Sequence, residues 1–147
     1  MIHIRAYTEA DFEPLLAMID QHIPAYFHPD EKQDYALYLR EKREDYFVLE
    51  KDGQLLAGGG INYFPKEKTA RLSWDLVDAK AMGQGLGLRL ARYRIDHVRK
   101  QPTYEQMVVR TSQFAHKFYA KAGFELLRSE KDFWGEGFDL YEMAQTL

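Results

Sequence analysis

The stretch MGQGLG, from Met82 to Gly87, has three glycines at alternate positions and is a candidate phosphate-binding loop. Successive backbone N–H groups at a strand-to-helix turn carry partial positive charge, and glycines let an anion approach them closely. Two familiar phosphate motifs do not fit, because Leu88 stands where a dinucleotide fingerprint needs its third glycine and where a Walker loop needs lysine. The pattern therefore leaves two interpretations open, a phosphate cradle and a plain glycine-rich turn.

Histidine and cysteine do not form a recognisable site in this sequence. The five histidines are scattered and show neither an HExxH motif nor paired ligand spacing, so we predict no metal site. The chain has no cysteine, which excludes a disulfide framework and a thiolate nucleophile. A covalent mechanism through cysteine is therefore excluded.

The elements around the glycine run must position any ligand, and hydrophobic periodicity predicts their order. We expect a strand, two helices, a three-strand meander, a helix, a strand, a short helix and a final hairpin. Asp52-Gly53 marks the turn between the first two strands of the meander. The glycine run joins the third of these strands to a helix whose predicted buried face carries Leu88, Ala91, Ile95 and Val98.

Two further segments flank the predicted sheet. The second helix is predicted from Asp30 to Glu44, with buried contacts at Tyr35, Leu37, Tyr38 and Leu39. Near the end of the chain, DFWGEGF (132–138) is rich in glycine and aromatic residues, and we predict a loop that leads into the last strand.

Length and composition indicate the class of protein. The chain has 147 residues, of which 46% are hydrophobic and 14% aromatic, which is enough for a packed core. We predict one domain over residues 1–147 with a mixed α/β (α+β) fold. The formal charge of −3, without a concentrated basic stretch, argues against nucleic acid, and no apolar run is long enough to cross a bilayer. We expect a cytoplasmic protein, monomeric or homodimeric, with no nucleic-acid or membrane partner.

Two segments taken together resemble the GCN5-related N-acetyltransferase (GNAT) family. VDAKAMGQGLGLRL is similar to its pyrophosphate-binding motif, Q/R-x-x-G-x-G/A, and RTSQFAHKFYAKAGF is similar to its tyrosine segment. The opening RAYTEADF also resembles the family's first strand and helix start, so the likeness covers nearly the whole chain. The resemblance implies a GNAT-like fold, in which a central mixed, mostly antiparallel sheet is splayed between strands 4 and 5 and flanked by helices.

The resemblance also implies acetyl-CoA as a co-substrate, with no metal. The glycine loop would hold the pyrophosphate through backbone N–H groups, and the main chain of Leu76 and Val77 would pair with the pantetheine arm. Two positions depart from the family pattern, since Met82 replaces its Gln or Arg and Ser112 stands where many relatives carry Asn. The implied cofactor-binding residues are Leu76, Val77, Met82, Gly83, Gln84, Gly85, Leu86, Gly87, Leu88, Ser112 and Tyr119.

Tyr119 matches the family's tyrosine near the thioester sulfur, and the resemblance makes it the candidate general acid for the leaving thiolate. The alternative is a core aromatic residue at helical spacing with Ala115 and Ala122. Because no cysteine can carry the acyl group, we expect direct attack by a primary amine within a ternary complex.

Asp75 is the candidate general base. Strand alternation predicts that Arg71, Ser73, Asp75 and Val77 share one face. On that face Asp75 could deprotonate the amine directly or through a water molecule that Ser73 holds. The alternative for Asp75 is a solvated strand residue or an ion pair with Arg71.

The connection IPAYF lies between His22 and His28 and helps to form the acceptor pocket in the GNAT fold. Tyr26 and Phe27 are therefore candidate substrate-binding residues together with Ser73, and loop anchoring is the alternative for the two aromatics. The expected acceptor is a primary amine of a small molecule or peptide. Two other functions stay open, an acyl-CoA-binding sensor or regulatory module without transfer activity and an unrelated phosphate-binding α/β domain.

Overall fold

The computed structural model describes residues 1–147 and contains one seven-stranded sheet. Its strands lie in the order β1-β2-β3-β4-β5-β7-β6, and only the central β4–β5 pair is parallel. The mixed, mostly antiparallel sheet is therefore confirmed. The strands are β1 Ile2–Ala6, β2 Asp45–Lys51, β3 Gln54–Phe64, β4 Thr69–Val77, β5 Gln106–Thr111, β6 Glu125–Gly135 and β7 Phe138–Thr146.

The predicted hairpin turn at Asp52 and Gly53 joins β2 to β3. The two residues have φ angles of 53° and 79°. Positive φ at both central positions is what a two-residue hairpin needs to follow the right-handed twist of its strands, which explains why this dipeptide identified the turn.

Four α-helices flank the sheet, and two of them carry local features typical of helix ends. A capping box precedes the first helix, in which the Asp11 carboxylate accepts from the backbone N–H of Thr8. Gly123, with φ +100°, follows the end of the last helix, where a left-handed conformation favours glycine. No helix is both long and apolar enough to span a membrane. The helices are α1 Phe12–Asp20, α2 Glu31–Leu37, α3 Leu86–Arg99 and α4 His116–Lys121.

The second helix is shorter and less regular than predicted. α2 ends at Leu37, and a π-helical turn continues from Tyr38 to Lys42. Tyr35, Tyr38 and Leu39 are buried as expected, but Leu37 is 42% exposed. Leu37 was predicted on the wrong side, because the positions that share a helix face with Tyr35 are 38 and 39.

Two apolar cores lie on opposite faces of the sheet, and β2 contributes to both by strict alternation. Phe47 and Leu49 face the core that includes α3 and the Tyr119 end of α4, whereas Tyr46 and Val48 face the core of α1 and α2. A side chain on β4 therefore contacts α3 and α4 if it points to one face of the sheet, and α1 and α2 if it points to the other.

The segment DFWGEGF is mostly part of the final hairpin, so the predicted loop is wrong. β6 extends to Gly135, and only Glu136 and Gly137 lie between β6 and β7. The pairing with β7 is irregular just before this turn, where Asp132 has φ +56°. This irregularity breaks the alternation by which a strand is recognised in sequence. It also brings Trp134 across to β5, where the indole N–H donates to the Thr111 carbonyl over 3.1 Å.

Candidate active site

The parallel strands β4 and β5 separate in the middle of the sheet, and a cavity lies between them. Their pairing ends at Leu72 and Val109, although β4 continues to Val77 and β5 to Thr111. The cavity has a volume of about 490 Å³. It is lined by both strands, by α3 and α4, and by the connection after α1. A concave site of this kind, with a few polar groups among apolar walls, is typical of small-molecule binding.

A β-bulge at Trp74 decides which side chains of β4 face each side of the sheet. Trp74 has φ +51°, and two residues of β4 stand opposite one residue of β3 between the pairs Gly60–Ser73 and Gly58–Leu76. The extra residue reverses the alternation along the second half of the strand.

The bulge separates residues that sequence alternation placed together. The Ser73 hydroxyl donates to Asn62 over 2.8 Å on the α2 side, whereas Asp75 contacts α3 on the other side. The prediction that Arg71, Ser73, Asp75 and Val77 share one face is therefore wrong. Ser73 still lines the cavity, but its hydroxyl is turned away from the Asp75 carboxylate.

Asp75, Arg94 and Tyr119 form a buried hydrogen-bonded chain at the α3 side of the cavity. Arg94 Nη1 lies 2.5 Å from Asp75 Oδ1, and the Tyr119 hydroxyl donates to Asp75 Oδ2 over 2.6 Å. Arg94 is only 1% exposed, and a Cβ atom on Gly59 would lie 2.5 Å from its guanidinium carbon. The predicted alternative for Asp75 was right in kind and wrong in partner, since the carboxylate forms an ion pair with Arg94 and not with Arg71.

The charges of this chain follow from its burial. Burial raises the pKa of the Tyr119 hydroxyl well above its ordinary value, and the charge of Asp75 raises it further. Burial acts to lower the pKa of Arg94, but the charge and hydrogen bond of Asp75 outweigh it and the pKa is raised. Tyr119 is therefore protonated and Arg94 is charged at neutral pH.

The glycine loop lies at the mouth of the cavity and presents a row of unpaired donors. None of the backbone N–H groups from Gly83 to Leu88 donates to another group of the protein. Gly83 and Gly85 have φ of +84° and +78°, and their Cα atoms face open space. Together with the start of α3, these donors form a site that an anion such as a pyrophosphate would satisfy.

Gly87 and Met82 connect this loop to the cavity, and both line it. A Cβ atom on Gly87 would lie 3.0 Å from a methyl group of Val77 and 3.3 Å from the Phe118 ring, so glycine allows α3 to approach β4 and α4 closely. Met82 is extended and 48% exposed. Unlike the Gln or Arg of the family pattern, the methionine side chain has no hydrogen-bond donor.

Leu76 and Val77, whose main chain was predicted to pair with a pantetheine arm, lie on β4 beyond the point where its pairing with β5 ends. The side chain of Leu76 is buried in the core of α1 and α2, and both Leu76 and Val77 line the cavity. The Val77 carbonyl accepts a hydrogen bond from His22 Nε2 over 2.7 Å. His22 is therefore fixed as the Nε2-protonated ring, and this carbonyl retains one free lone pair.

Tyr26 and Phe27, the predicted substrate-binding residues, both line the cavity. Phe27 stacks on Trp74 with ring centroids 6.4 Å apart, and Tyr26 packs edge-on against Phe114 at 6.0 Å. Ser112 lies across the cavity, where its hydroxyl accepts from the Phe114 N–H over 3.2 Å. No group of three or more His, Asp or Glu side chains is arranged to hold a metal ion.

Glu31 is a cavity residue that the sequence reasoning missed. It lies at the start of α2, and its Oε2 accepts the backbone N–H of His28 over 2.8 Å. Burial raises the pKa of the Glu31 carboxyl to about 7. This carboxyl can therefore accept and release a proton near neutral pH.

Other lining residues were also missed, and one of them left a trace in the sequence. Arg94 falls between Leu90 and Val98 on the buried face of α3, and a single charge within an apolar stripe indicates a buried ion pair. Nothing local distinguishes the other missed cavity residues, which become neighbours only through the sheet. They include Val109, Arg110 and Trp134.

A model of the Acetyltransferase (GNAT) family matches residues 15–124 of this chain. The match includes the glycine loop, the cavity strands and Tyr119, and reaches the residue after Gly123. No curated protein sequence matches the chain.

Solved structures of acetyltransferases share the fold over nearly the whole chain. A Desulfovibrio desulfuricans protein assigned to the GNAT family superposes with a TM-score of 0.83 at 19% identity, covering 99% of each chain. Ribosomal-protein-alanine N-acetyltransferase from Brucella melitensis gives 0.75 at 21% identity, again over 99% of each chain. An aminoglycoside 6'-N-acetyltransferase complexed with coenzyme A gives 0.77 at 12% identity, over 98% of this chain and 96% of that chain. At these identities the likeness concerns the fold.

Proposed function

This chain belongs to the GNAT family of acetyltransferases, and from that premise we propose that it transfers an acetyl group from acetyl-CoA to a primary amine of a small molecule or peptide. The observation that carries the proposal is the row of unpaired N–H groups from Gly83 to Leu88, at the mouth of the cavity that Tyr119 lines. Structural neighbours include one complexed with coenzyme A and one that acts on ribosomal-protein alanine, which supports both the co-substrate and an amine acceptor.

The loop and the strand edge would hold the co-substrate in this proposal. The pyrophosphate would lie against the N–H groups of the glycine loop, which needs no basic side chain because the donors and the α3 dipole supply the positive potential. The pantetheine arm would follow the open edge of β4 at Leu76 and Val77, and the proposed oxyanion donor is the N–H of Val77, because the N–H of Leu76 faces Gly58 in the β3–β4 pairing. When bound, acetyl-CoA supplies an acyl carbon for the amine and a thiolate leaving group.

The reaction we propose is one direct step within a ternary complex. A bond forms between the amine nitrogen and the acyl carbon while the carbon–sulfur bond breaks, so the amine loses one proton and the sulfur gains one. Tyr119 is the proposed donor to sulfur, and for this step its hydroxyl proton would turn from Asp75 to the sulfur. The raised pKa of Tyr119 keeps the hydroxyl protonated at neutral pH. The buried surroundings also favour the neutral thiol over the thiolate.

The contacts of Asp75 favour a positioning role over that of a base. Both of its oxygens are engaged, one by Arg94 and one by Tyr119. We propose that Asp75 orients the Tyr119 hydroxyl, and that Glu31, with its pKa of about 7 and one oxygen without a hydrogen-bond partner, accepts the proton from the amine.

The direct test is an assay of acetyl-CoA consumption with and without a panel of amines, beside calorimetric titration of acetyl-CoA. We expect binding, slow hydrolysis without an amine, and faster consumption with matched formation of an N-acetyl product. Tight binding with no transfer to any amine would overturn the proposal in favour of a sensor, and no binding would remove acetyl-CoA itself.

Replacing Tyr119 with phenylalanine separates its chemical role from packing. We expect Tyr119→Phe to lower kcat by roughly 100-fold or more, the usual contribution of general acid catalysis, and to leave the affinity for acetyl-CoA nearly unchanged. Steady-state kinetics and calorimetry measure the two quantities. Equal kcat values for the variant and the wild type would remove the role.

A further inference from the structure

Two arginines from neighbouring strands face the same side of the cavity. Arg71 on β4 pairs in register with Val108 on β5, and Arg110 lies two residues beyond Val108. Because alternate residues of a strand share a face, both guanidinium groups lie on the side of the sheet opposite α3. Both line the cavity, just where β4 and β5 part.

These arginines are poorly neutralised by the protein. Arg71 makes no ion pair or hydrogen bond, and its guanidinium lies 4.9 Å from the centre of the Phe64 ring. The Nε atom of Arg110 is buried without a hydrogen-bond partner, and its nearest carboxylate, Glu142, lies 3.8 Å away and is shared with Arg128. A buried donor without a partner costs free energy that a ligand can recover.

The rest of the cavity offers little negative charge to neutralise the two arginines. The only carboxyl groups that line it are Glu31 and Asp75, and Asp75 is already held by Arg94 and Tyr119. Burial lowers the pKa of Arg71 from its ordinary value. Repulsion by the nearby charge of Arg110 lowers this pKa further.

The walls beside the two arginines are aromatic. Trp134 lies 5.7 Å from the Arg110 guanidinium, and Phe27 and Trp74 stack on the α2 side. Phe138 also lines this part of the cavity. An acceptor that fits these surroundings has an apolar body and one anionic group within reach of the guanidinium pair.

We propose that Arg71 and Arg110 bind the carboxylate of the acceptor, so that the substrate is a small amino carboxylate with an apolar body. The planar forks of two guanidinium groups suit the oxygens of a carboxylate, and the ligand would satisfy the Arg110 Nε donor. A polycationic amine would instead meet uncompensated positive charge. Acetylation of this acceptor rests on the proposed function, whereas binding of its carboxylate depends only on the two guanidinium groups.

The test compares amines that differ only in the anionic group. Aliphatic and aromatic amino carboxylates, such as phenylalanine and 4-aminobutanoate, are assayed beside their amides and their phosphonate analogues. We expect kcat/KM for the preferred carboxylate to exceed that of its amide by about 100-fold, because the amide leaves the buried guanidinium groups unpaired. Equal use of acid and amide would overturn the inference, and preference for the phosphonate would reassign the pair to a phosphate-bearing acceptor.

Variants of the pair give the second arm. We expect Arg71→Met and Arg110→Met to abolish the preference for carboxylate over amide, and Arg71→Lys, which keeps the charge and loses the fork, to retain part of it. Arg99→Met is the matched control, since Arg99 is exposed at the end of α3 and pairs only with Asp96. Thermal unfolding checks that each variant is folded. Retention of the full preference in folded Arg71→Met and Arg110→Met would contradict the proposal.

Calorimetry with N-acetylphenylalanine and its amide separates this inference from the proposed function. If no amine is acetylated but the N-acetyl carboxylate still binds in a manner that needs Arg71 and Arg110, the transfer reaction fails and the anion site stands. If transfer occurs and the carboxylate shows no advantage in binding or turnover, the anion site fails and the transfer reaction stands.

Discussion

At the scale of single residues, Asp75 connects the stability of the protein to its proposed chemistry. Its carboxylate neutralises Arg94, which is 1% exposed, and it accepts the Tyr119 hydroxyl. Removing one member of a buried ion pair leaves the other charge uncompensated, which is far more costly than removing an exposed pair. Any test of Asp75 in catalysis must therefore also measure the free energy of unfolding of the variant.

We expect Asp75→Asn to lower the free energy of unfolding by about 3 kcal/mol, because Arg94 keeps its charge in a buried site. Asp96→Asn is the matched control, since Asp96 pairs with Arg99 on the exposed side of α3 and its loss should cost less than about 1 kcal/mol. Urea denaturation followed by circular dichroism measures both. Similar losses in the two variants would show that the Asp75–Arg94 pair has no special weight.

Glu31 gives a pH dependence whose direction follows from its raised pKa. A carboxyl group with a pKa of about 7 is neutral below that pH and becomes a base above it, so kcat/KM should rise through pH 7. We expect Glu31→Gln to remove this inflection and lower kcat/KM above pH 7 by about tenfold or more. The measurement is kcat/KM as a function of pH for the wild type, for Glu31→Gln and for Glu13→Gln, which is an exposed control on α1. An unchanged profile in Glu31→Gln would exclude Glu31 as the base.

At the scale of elements, the glycine loop and α3 act as one unit. Gly85 has φ +78° immediately before the first residue of α3, and this conformation leaves the N–H groups on either side without partners. A side chain at this position would strain the backbone and would also project into the open space from which an anion approaches.

Gly85→Ala tests this unit against a glycine of matched conformation. Gly53, in the β2–β3 turn, has φ +79° and equally open surroundings. We expect both Gly→Ala variants to lose about 1 kcal/mol of stability, and only Gly85→Ala to weaken acetyl-CoA binding, by about tenfold. Calorimetric titration and urea denaturation give the two quantities. A tenfold loss of affinity in Gly53→Ala as well would indicate a general effect of destabilisation.

At the scale of the whole molecule, the separation of β4 and β5 divides the sheet into two parts that a bound ligand would bridge. Only four residue pairs, from Thr69–Gln106 to Leu72–Val109, join the two halves of the sheet directly. A ligand that fills the cavity and contacts β4, α3 and α4 binds the folded state alone and stabilises it by mass action.

Coenzyme A at 100 times its Kd should therefore add about 2.7 kcal/mol to the free energy of unfolding, a rise in Tm of roughly 5–10 °C for a chain of this length. Pantetheine lacks the pyrophosphate and at the same concentration should give a much smaller shift. Differential scanning calorimetry at several ligand concentrations measures this effect. Equal shifts with the two compounds would show that the glycine loop adds nothing to binding.

The sequence by itself determined features that depend on neighbours along the chain. Turn glycines, the Thr8–Asp11 cap and the alternation of β2 are set by backbone conformations that a few adjacent residues prefer. The spacing of the glycine loop and the Tyr119 segment along the chain also indicated the GNAT family from the sequence alone. The local pattern did not predict three features: the π-helical turn after α2, the extension of β6 to Gly135 and the exposure of Leu37. Tertiary packing overrides the local pattern at these places.

Only the tertiary structure decided which side chains meet. The bulge at Trp74 reverses the alternation of β4, so Asp75 is joined to Arg94 and Tyr119, residues 19 and 44 positions away, and separated from Ser73. Arg71 and Arg110 likewise become neighbours only through the parallel pairing of β4 with β5. Burial and charge compensation depend on such long-range contacts, which no local pattern encodes. For this reason the sequence could name candidate residues that the structure places around one cavity, but it could not identify the partners of their charged groups.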